Sequence, residues 1–323
     1  MQIIKDEGLD TGNPLSGRVI LITGCSSGIG VETAAALFAT GADIFITARD
    51  ERKAMETLSS IRVRHPSSKG RLEFIRMELD KLASVREGAA DFLRRSGNTL
   101  HVLICNAGVM ACPYGKTEDG FEMQFGVNHL AHFALFQLLK EALRKSSRVE
   151  KPSRVVMVSS LGHRRSTVRL DDLFFEKSEY HPFNSYGQSK TANIWMANEI
   201  ERRYGSDASH PIHATSLMPG AIWTDLQRHL SPRAIAQRRT PEASKRFKSL
   251  EQGAATTVWA AVGKEWARRG GRYLEDCAEA GPVADKADMT APGYAPWAYD
   301  DEGARKLWQL SRKLTNTGQD EVE

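Results

Sequence analysis

The sequence predicts a single α/β domain: a doubly wound parallel sheet with helices on both faces. Three observations carry this prediction. Short apolar runs alternate with helical segments over the first 220 residues. The runs are continuously apolar, as strands buried on both faces require. The first of them leads straight into a glycine-rich turn that opens a helix.

Taken in order, Val19–Ile22 reads as the first strand and the Ala-rich segment Val31–Thr40 as a helix. Asp43–Ala48 is the second strand, Glu51–Val63 a helix, and Leu72–Met77 the third strand. Leu82–Arg95 is a helix and Val102–Cys105 the fourth strand, followed by a long helix over Phe121–Lys145. Val155–Ser159, the helix Ser185–Tyr204 and Ile212–Met218 complete the regular part. Right-handed crossovers between such strands give the doubly wound arrangement. Beyond Gly220 the pattern changes. The stretch from Leu226 to Leu250 carries seven basic residues against one acid, Glu242. A helix over Glu251–Val262, a last strand in GGRYLEDC, a Pro- and aromatic-rich segment (Ala291–Tyr299) and a helix over Asp300–Leu314 follow. The expected division is an N-terminal extension (1–16), one Rossmann-type catalytic domain (17–285, with 226–250 as a substrate lid) and a C-terminal extension (286–323).

At 323 residues and 41% hydrophobic the chain can bury a sizeable core. With 44 Lys and Arg against 40 Asp and Glu, the net charge of +4 gives no reason to expect nucleic acid as a partner. The four cysteines (Cys25, Cys105, Cys112, Cys277) show no C-x-x-C spacing, so neither zinc, nor any other metal, nor a disulfide framework is expected. No basic leader with an apolar run follows Met1, and no stretch reaches the roughly 18–20 apolar residues that span a bilayer. The expected location is the cytoplasm, and no residue pattern sets the oligomeric state.

Two motifs carry chemistry. Thr23-Gly24-Cys25-Ser26-Ser27-Gly28-Ile29-Gly30 has the spacing T-G-x-x-x-G-x-G between strand and helix. Glycines there allow a tight turn and let the backbone approach a pyrophosphate at the helix N-terminus. An ordinary βα turn is the alternative, and the strand–turn–helix context is what favours dinucleotide binding. Tyr186-Gly187-Gln188-Ser189-Lys190 places Tyr186 and Lys190 at i, i+4 on one helix face, about 5–6 Å apart at Cβ. A phenol with a pKa of about 10 is a poor proton shuttle at neutrality. A neighbouring ammonium is expected to lower that value and make Tyr186 a usable general acid or base.

Together, in this order, the motifs resemble the short-chain dehydrogenase/reductase family over roughly Leu15 to Gly281. The resemblance implies roles for further residues. Cys105-Asn106-Ala107-Gly108 matches the family's N-N-A-G element, with Cys in place of the first Asn, and puts Asn106 beside the adenine ribose. Asn128 matches the helix Asn that positions the catalytic Lys through a water. Of Ser159 and Ser160, the second matches the catalytic Ser that hydrogen-bonds the substrate oxygen. Pro219-Gly220-Ala221-Ile222-Trp223-Thr224 matches P-G-x-x-x-T, where the Ile222 backbone and the Thr224 hydroxyl meet the nicotinamide end. The implied catalytic set is Asn128, Ser160, Tyr186 and Lys190. The 26 residues from Ser160 to Tyr186, with Leu170-Asp171-Asp172-Leu173 between them, are similar to the subgroup of retinol dehydrogenases and WW-domain-containing oxidoreductases. The pattern from GGRYLEDC to APGYAPWAYD is similar to fungal members, many of which serve secondary metabolism.

Charge decides the cofactor expectation. NAD-specific proteins place an acid about 20 residues beyond the glycine motif, to bind the 2′-hydroxyl. Here Ala48 occupies that place and Arg49 follows, a residue that binds a 2′-phosphate well. NADP (NADPH) is therefore the expected cofactor. Asp80 matches the family Asp that contacts the adenine amino group. An N-cap for the helical segment from Lys81 explains it almost equally well, and the two roles are compatible. Trp223 and His229 are expected to line the substrate pocket, with Tyr294, Trp297 and Tyr299 closing it, which suits a hydrophobic carbonyl or alcohol. Two other classes compete: a non-catalytic NADP-binding regulator on this fold, and a protein using the basic 226–250 stretch on a membrane surface or nucleic acid. The intact Asn128, Ser160, Tyr186 and Lys190 set argues against the first. A substrate lid explains the stretch better than the second.

Overall fold

A computed structural model describes residues 2–283, 288 and 291–318. The chain enters through a short helix, α1 (Gln2–Asp6), which buries Ile4. Strand β1 (Val19–Thr23) follows, then α2 (Ile29–Phe38), β2 (Asp43–Ala48), α3 (Glu51–Arg64), β3 (Leu72–Arg76), α4 (Leu82–Ser96) and β4 (Val102–Cys105). The second half runs α5 (Met123–Phe125), α6 (Ala131–Ser146), β5 (Ser153–Val158), α7 (Pro182–Ile200) and β6 (Ile212–Met218). Beyond these lie β7 (Ala221–Ile222), α8 (Pro232–Arg238), α9 (Pro241–Ser244), β8 (Phe247–Lys248), α10 (Leu250–Val262), β9 (Arg272–Glu275), β10 (Ala278–Glu279) and α11 (Asp301–Thr315).

The main sheet has the order β10-β9-β6-β5-β4-β1-β2-β3. Every pairing is parallel except β9 with β10. The strand order reverses between β1 and β4, so a crevice opens at their carboxyl ends, where such sheets bind ligands. Successive residues of β1 enter different cores. Val19 and Leu21 pack with Phe92 of α4, Phe133 of α6 and Trp195 of α7, whereas Ile20 and Ile22 pack with Leu37 of α2, Ile61 of α3 and Val258 of α10. Both faces being buried, each such side chain contributes about 1.5–3 kcal/mol, and the strand reads as a continuous apolar run.

Three features depart from the sequence expectation. The sheet ends in an antiparallel edge strand, β10, and a separate two-stranded ribbon pairs β7 with β8. The helix expected over Phe121–Lys145 is interrupted by a π turn at Gly126–Leu130, between α5 and α6. It begins at Met123 because the buried Glu122 carboxylate accepts the Gln124 and Phe125 N–H groups at 3.0 and 2.8 Å. The segment 226–250, expected as a lid without assigned structure, contains α8, α9 and β8. Helix α11 lies across α6 and α7. Trp308 meets Phe133 edge to face at 4.8 Å, and the Arg203 guanidinium covers Trp308 at 4.9 Å. The expected boundary at residues 285 and 286 lies outside the described residues.

Candidate active site

The crevice between β1 and β4 continues as a cleft of about 460 Å³. One end is the glycine turn. Gly24 sits at φ +74°, and a Cβ there would lie 2.7 Å from the Ala107 Cα; a Cβ on Gly30 would lie 2.4 Å from the Gly24 carbonyl oxygen. Only glycine lets the turn fold this flat. Gly28 precedes the first turn of α2 and no side chain caps it, so the helix presents its N–H groups to the cleft. Ser26, Ser27 and Ile29 line the same end. Asn106 ties the turn to β4, donating from Nδ2 to the Thr23 and Gly24 carbonyls at 2.9 and 3.2 Å. The Thr23 hydroxyl accepts the Asn106 and Ala107 N–H groups, both at 3.0 Å, and faces His132 Nε2 at 2.9 Å. His132 Nδ1 stands 2.9 Å from the Asn128 carbonyl, an acceptor only. The ring therefore donates from Nδ1 and takes the Thr23 proton at Nε2. Burial pushes its pKa down to about 4, consistent with a neutral ring.

Ala48, Arg49, Leu79 and Asp80 line the rim of that end. Arg49 is exposed and has no ion pair or hydrogen bond among the described residues, while Asp50 turns away to cap α3 through Lys53 N–H at 3.1 Å. Asp80 is not the cap of α4: the Leu82 N–H goes to Asp119 Oδ2 at 2.7 Å instead. That acid comes from a loop 37 residues away, a partner that helix-start rules do not reach. An uncapped helix start, a glycine turn without Cβ atoms and an unpaired guanidinium at the rim together fit a dinucleotide carrying an extra phosphate.

The far end holds Ser160, Tyr186 and Lys190. The Ser160 hydroxyl accepts the Gly162 N–H at 3.0 Å and lies with the Tyr186 ring around that glycine, while the Ser159 hydroxyl donates to the Lys190 carbonyl, 2.8 Å away. The structure thus puts Ser160 with Tyr186 and removes Ser159. Lys190 Nζ lies 5.6 Å from the Tyr186 ring centroid and donates to the Val158 carbonyl at 3.0 Å. Asn128 spends its amide on the Val109 backbone (2.8 and 3.0 Å) and on the Ser189 hydroxyl (2.9 Å). A Cβ on Gly108 would stand 3.0 Å from Asn128 Oδ1 and 3.4 Å from Lys190 Nζ, so both side chains lie beneath that loop. Ile222 lines the cleft from β7, and the Thr224 methyl stands 3.1 Å from where a Gly28 Cβ would be.

One electrostatic expectation is corrected. Burial pushes the Tyr186 phenol up to about 12, with the Ser160 hydrogen bond pulling the other way. Burial also takes Lys190 down to about 8. Desolvation governs the phenol, and Tyr186 stands protonated at neutral pH. Sequence spacing places the two groups together but says nothing of how dry they are.

The pocket wall differs from expectation too. Trp223 stacks on Phe247 at 4.5 Å, under the Arg239 guanidinium, and His229 is exposed. Tyr294 and Tyr299 meet at 4.7 Å in a small core with Tyr273 and Ile194, behind α7. Trp297 donates to the His163 carbonyl at 3.0 Å. These aromatics pack behind the Ser160 loop, and none of them is among the described residues that line the cleft. Its apolar wall is instead Met110, Met123, Val127, Leu161, Met218 and Leu226.

Sequence reasoning missed Gly162 and His163. A Cβ on Gly162 would come within 2.8 Å of the Tyr186 ring, so this glycine lets the Ser160 loop lie against it. His163 is fully buried; its Nδ1 stands 2.7 Å from the Ser160 carbonyl and its Nε2 accepts the Ala295 N–H at 3.0 Å. It thereby clasps the serine loop to the C-terminal segment. His163→Phe keeps a ring but loses both bonds. It is expected to lower kcat by about ten- to a hundredfold through misplacement of Ser160, with cofactor Kd unchanged. A fall in Tm with kcat intact would leave His163 a purely structural residue.

A family model described as short chain dehydrogenase matches residues 18–171. The chain is 47% identical to the short-chain dehydrogenase/reductase prx1 of Penicillium roqueforti over 317 residues, 98% of this chain and 89% of the relative. It is 38% identical to retinol dehydrogenase 14 of Homo sapiens over 313 residues, 93% of this chain and 87% of the relative. The crystal structure of an uncharacterized protein from Mycobacterium paratuberculosis is 33% identical, with a TM-score of 0.69 over 94% of this chain and 95% of that one.

Proposed function

The chain belongs to the short-chain dehydrogenase/reductase family and is an NAD(P)-dependent oxidoreductase acting on CH–OH and C=O groups; from that premise we propose that it uses NADP and interconverts a carbonyl and an alcohol on a hydrophobic small molecule. The observation that carries the reading is that Ser160, Tyr186 and Lys190 line one end of the cleft together, Lys190 Nζ 5.6 Å from the Tyr186 ring, under an apolar wall. Arg49 at the rim, with no carboxylate beside it at Ala48, supports NADP over NAD. The cofactor supplies the hydride when bound.

In this reading Ser160 and Tyr186 both donate hydrogen bonds to the substrate oxygen. Tyr186 passes its proton to that oxygen as the carbonyl is reduced, and takes it back in the reverse direction. A phenol held protonated by burial is in the state that reduction consumes. Lys190, anchored on Val158, holds its ammonium 5.6 Å from the Tyr186 ring, and would bind the cofactor's nicotinamide ribose. Methionines along the wall suit an apolar, irregular partner. Service in secondary metabolism is part of the proposal, supported by the likeness to a Penicillium relative. So is a cytoplasmic location, supported by four unpaired cysteines, three of them buried. No helix among the described residues is long and apolar enough to cross a membrane.

The test is turnover by purified protein with NADPH, and in parallel NADH, against a panel of apolar aldehydes and ketones. NADPH-dependent reduction of some of them is expected. Tight NADPH binding with no turnover of any panel member would favour the regulator reading.

A further inference from the structure

A second cleft, of about 560 Å³, lies at the opposite end of the sheet from Ser160 and Tyr186. Its walls are the segments leading into three neighbouring strands: Ser16 to Arg18 before β1, Gly97 to His101 before β4, and Lys145 to Lys151 before β5. Five of its lining residues are basic by type (Arg18, His101, Lys145, Arg148 and Lys151) and none is acidic. The four cations have no carboxylate partner among the described residues, in a chain whose charges otherwise nearly balance.

The donors are partly organised in advance. The Arg148 guanidinium is held by the carbonyls of Lys145 (2.9 Å) and Ser147 (2.6 Å). Arg18 is half-buried, with its pKa lowered by desolvation. His101 Nδ1 accepts the Val19 N–H at 3.0 Å, which leaves the Nε2–H of a neutral ring as a donor. Burial, then Arg18 and Arg148, take its pKa down to about 4. Like charges gathered round a concave surface with no counter-ion focus a positive potential.

We propose that this cleft is a second anion site, which binds a small phosphate-bearing molecule. The half-buried Arg18 and His101 favour that occupant over a flat polyanionic surface, because a small anion can reach them as well as the exposed Lys145, Arg148 and Lys151. Phosphate oxygens accept several charge-assisted hydrogen bonds at once, which matches a site made of donors.

Isothermal titration with diphosphate tests the site without using activity. Three proteins are compared: the natural chain, the double variant Arg148→Ala with Lys151→Ala, and Arg49→Ala. Both rim side chains are exposed, so the double variant is expected to fold normally. It should bind diphosphate about tenfold more weakly or worse, a loss of one decade or more in Kd, whereas Arg49→Ala should bind it at this site as the natural chain does. Absence of diphosphate binding overturns the proposal. So does binding that survives the double change at its natural strength, with or without Arg49→Ala, since that locates the anion elsewhere in the molecule, the glycine turn of the cofactor cleft included. Binding to phosphatidylserine vesicles without binding to diphosphate overturns it as well.

Discussion

Tyr186→Phe is expected to lower kcat by about a hundredfold or more, the usual scale of a general acid–base contribution, while cofactor Kd stays within about twofold. The ring is 4% exposed and packs against Gly162, so Phe fills the same space and loses only the hydroxyl. The Ser160 hydroxyl then keeps one acceptor role, from the Gly162 N–H at 3.0 Å, and can still donate to a substrate oxygen. What disappears is the transferable proton. The pH profile separates this from a packing defect. With the phenol up at about 12 and Lys190 down at about 8, reduction by the natural enzyme should be flat below about pH 8 and fall as the ammonium is lost above it. The residual activity of the Phe variant should lose most of that dependence, because the ammonium no longer has a phenol to assist. Steady-state kinetics in both directions checks the first part, and a variant with full kcat would remove Tyr186 from the chemistry.

Much of the fold was legible because its signals are local. Strands buried on both faces favour apolar runs, as at residues 19–22 of β1, 44–46 of β2, all of β4 and 155–158 of β5. The glycine turn was legible for the same reason: its spacing is set by a sharp bend within eight residues. Contacts between distant segments were not legible. Thr23 and His132 are 109 residues apart, and His163 and Ala295 are 132 apart. Nothing in either neighbourhood announces its partner. Gly162 matters because a tyrosine ring lies 2.8 Å from where its Cβ would be, a fact of packing. The C-terminal aromatics were misplaced for a related reason. An aromatic segment reads as apolar, but which side of α7 it covers depends on Tyr273, Ile194 and the His163 clasp. Asp80 shows the limit of capping rules, since Asp119 from another loop takes the position first.

Arg49→Ala is expected to weaken NADPH by about one to two decades and NADH hardly at all. Only NADPH carries the 2′-phosphate, and a lost charge-assisted hydrogen bond costs roughly 1.5–3 kcal/mol. Solvent at the rim favours the lower half of that range, because Arg49 is exposed and its attraction is screened. Ala48→Asp should act in the same direction on NADPH and the opposite one on NADH. Ala48 closes β2, 6% exposed and lining the cleft, so a carboxylate there repels the phosphate and offers the 2′-hydroxyl an acceptor. Burial opposes that charge, so the single change should gain less for NADH than it loses for NADPH. With both changes the preference should reverse. Asp50 does not interfere, since its carboxylate is engaged at the start of α3. Fluorescence titration of both cofactors against the natural chain and Arg49→Ala decides the matter. Equal losses for NADPH and NADH would make Arg49 a solvated surface charge, and the NADP assignment would fall with it.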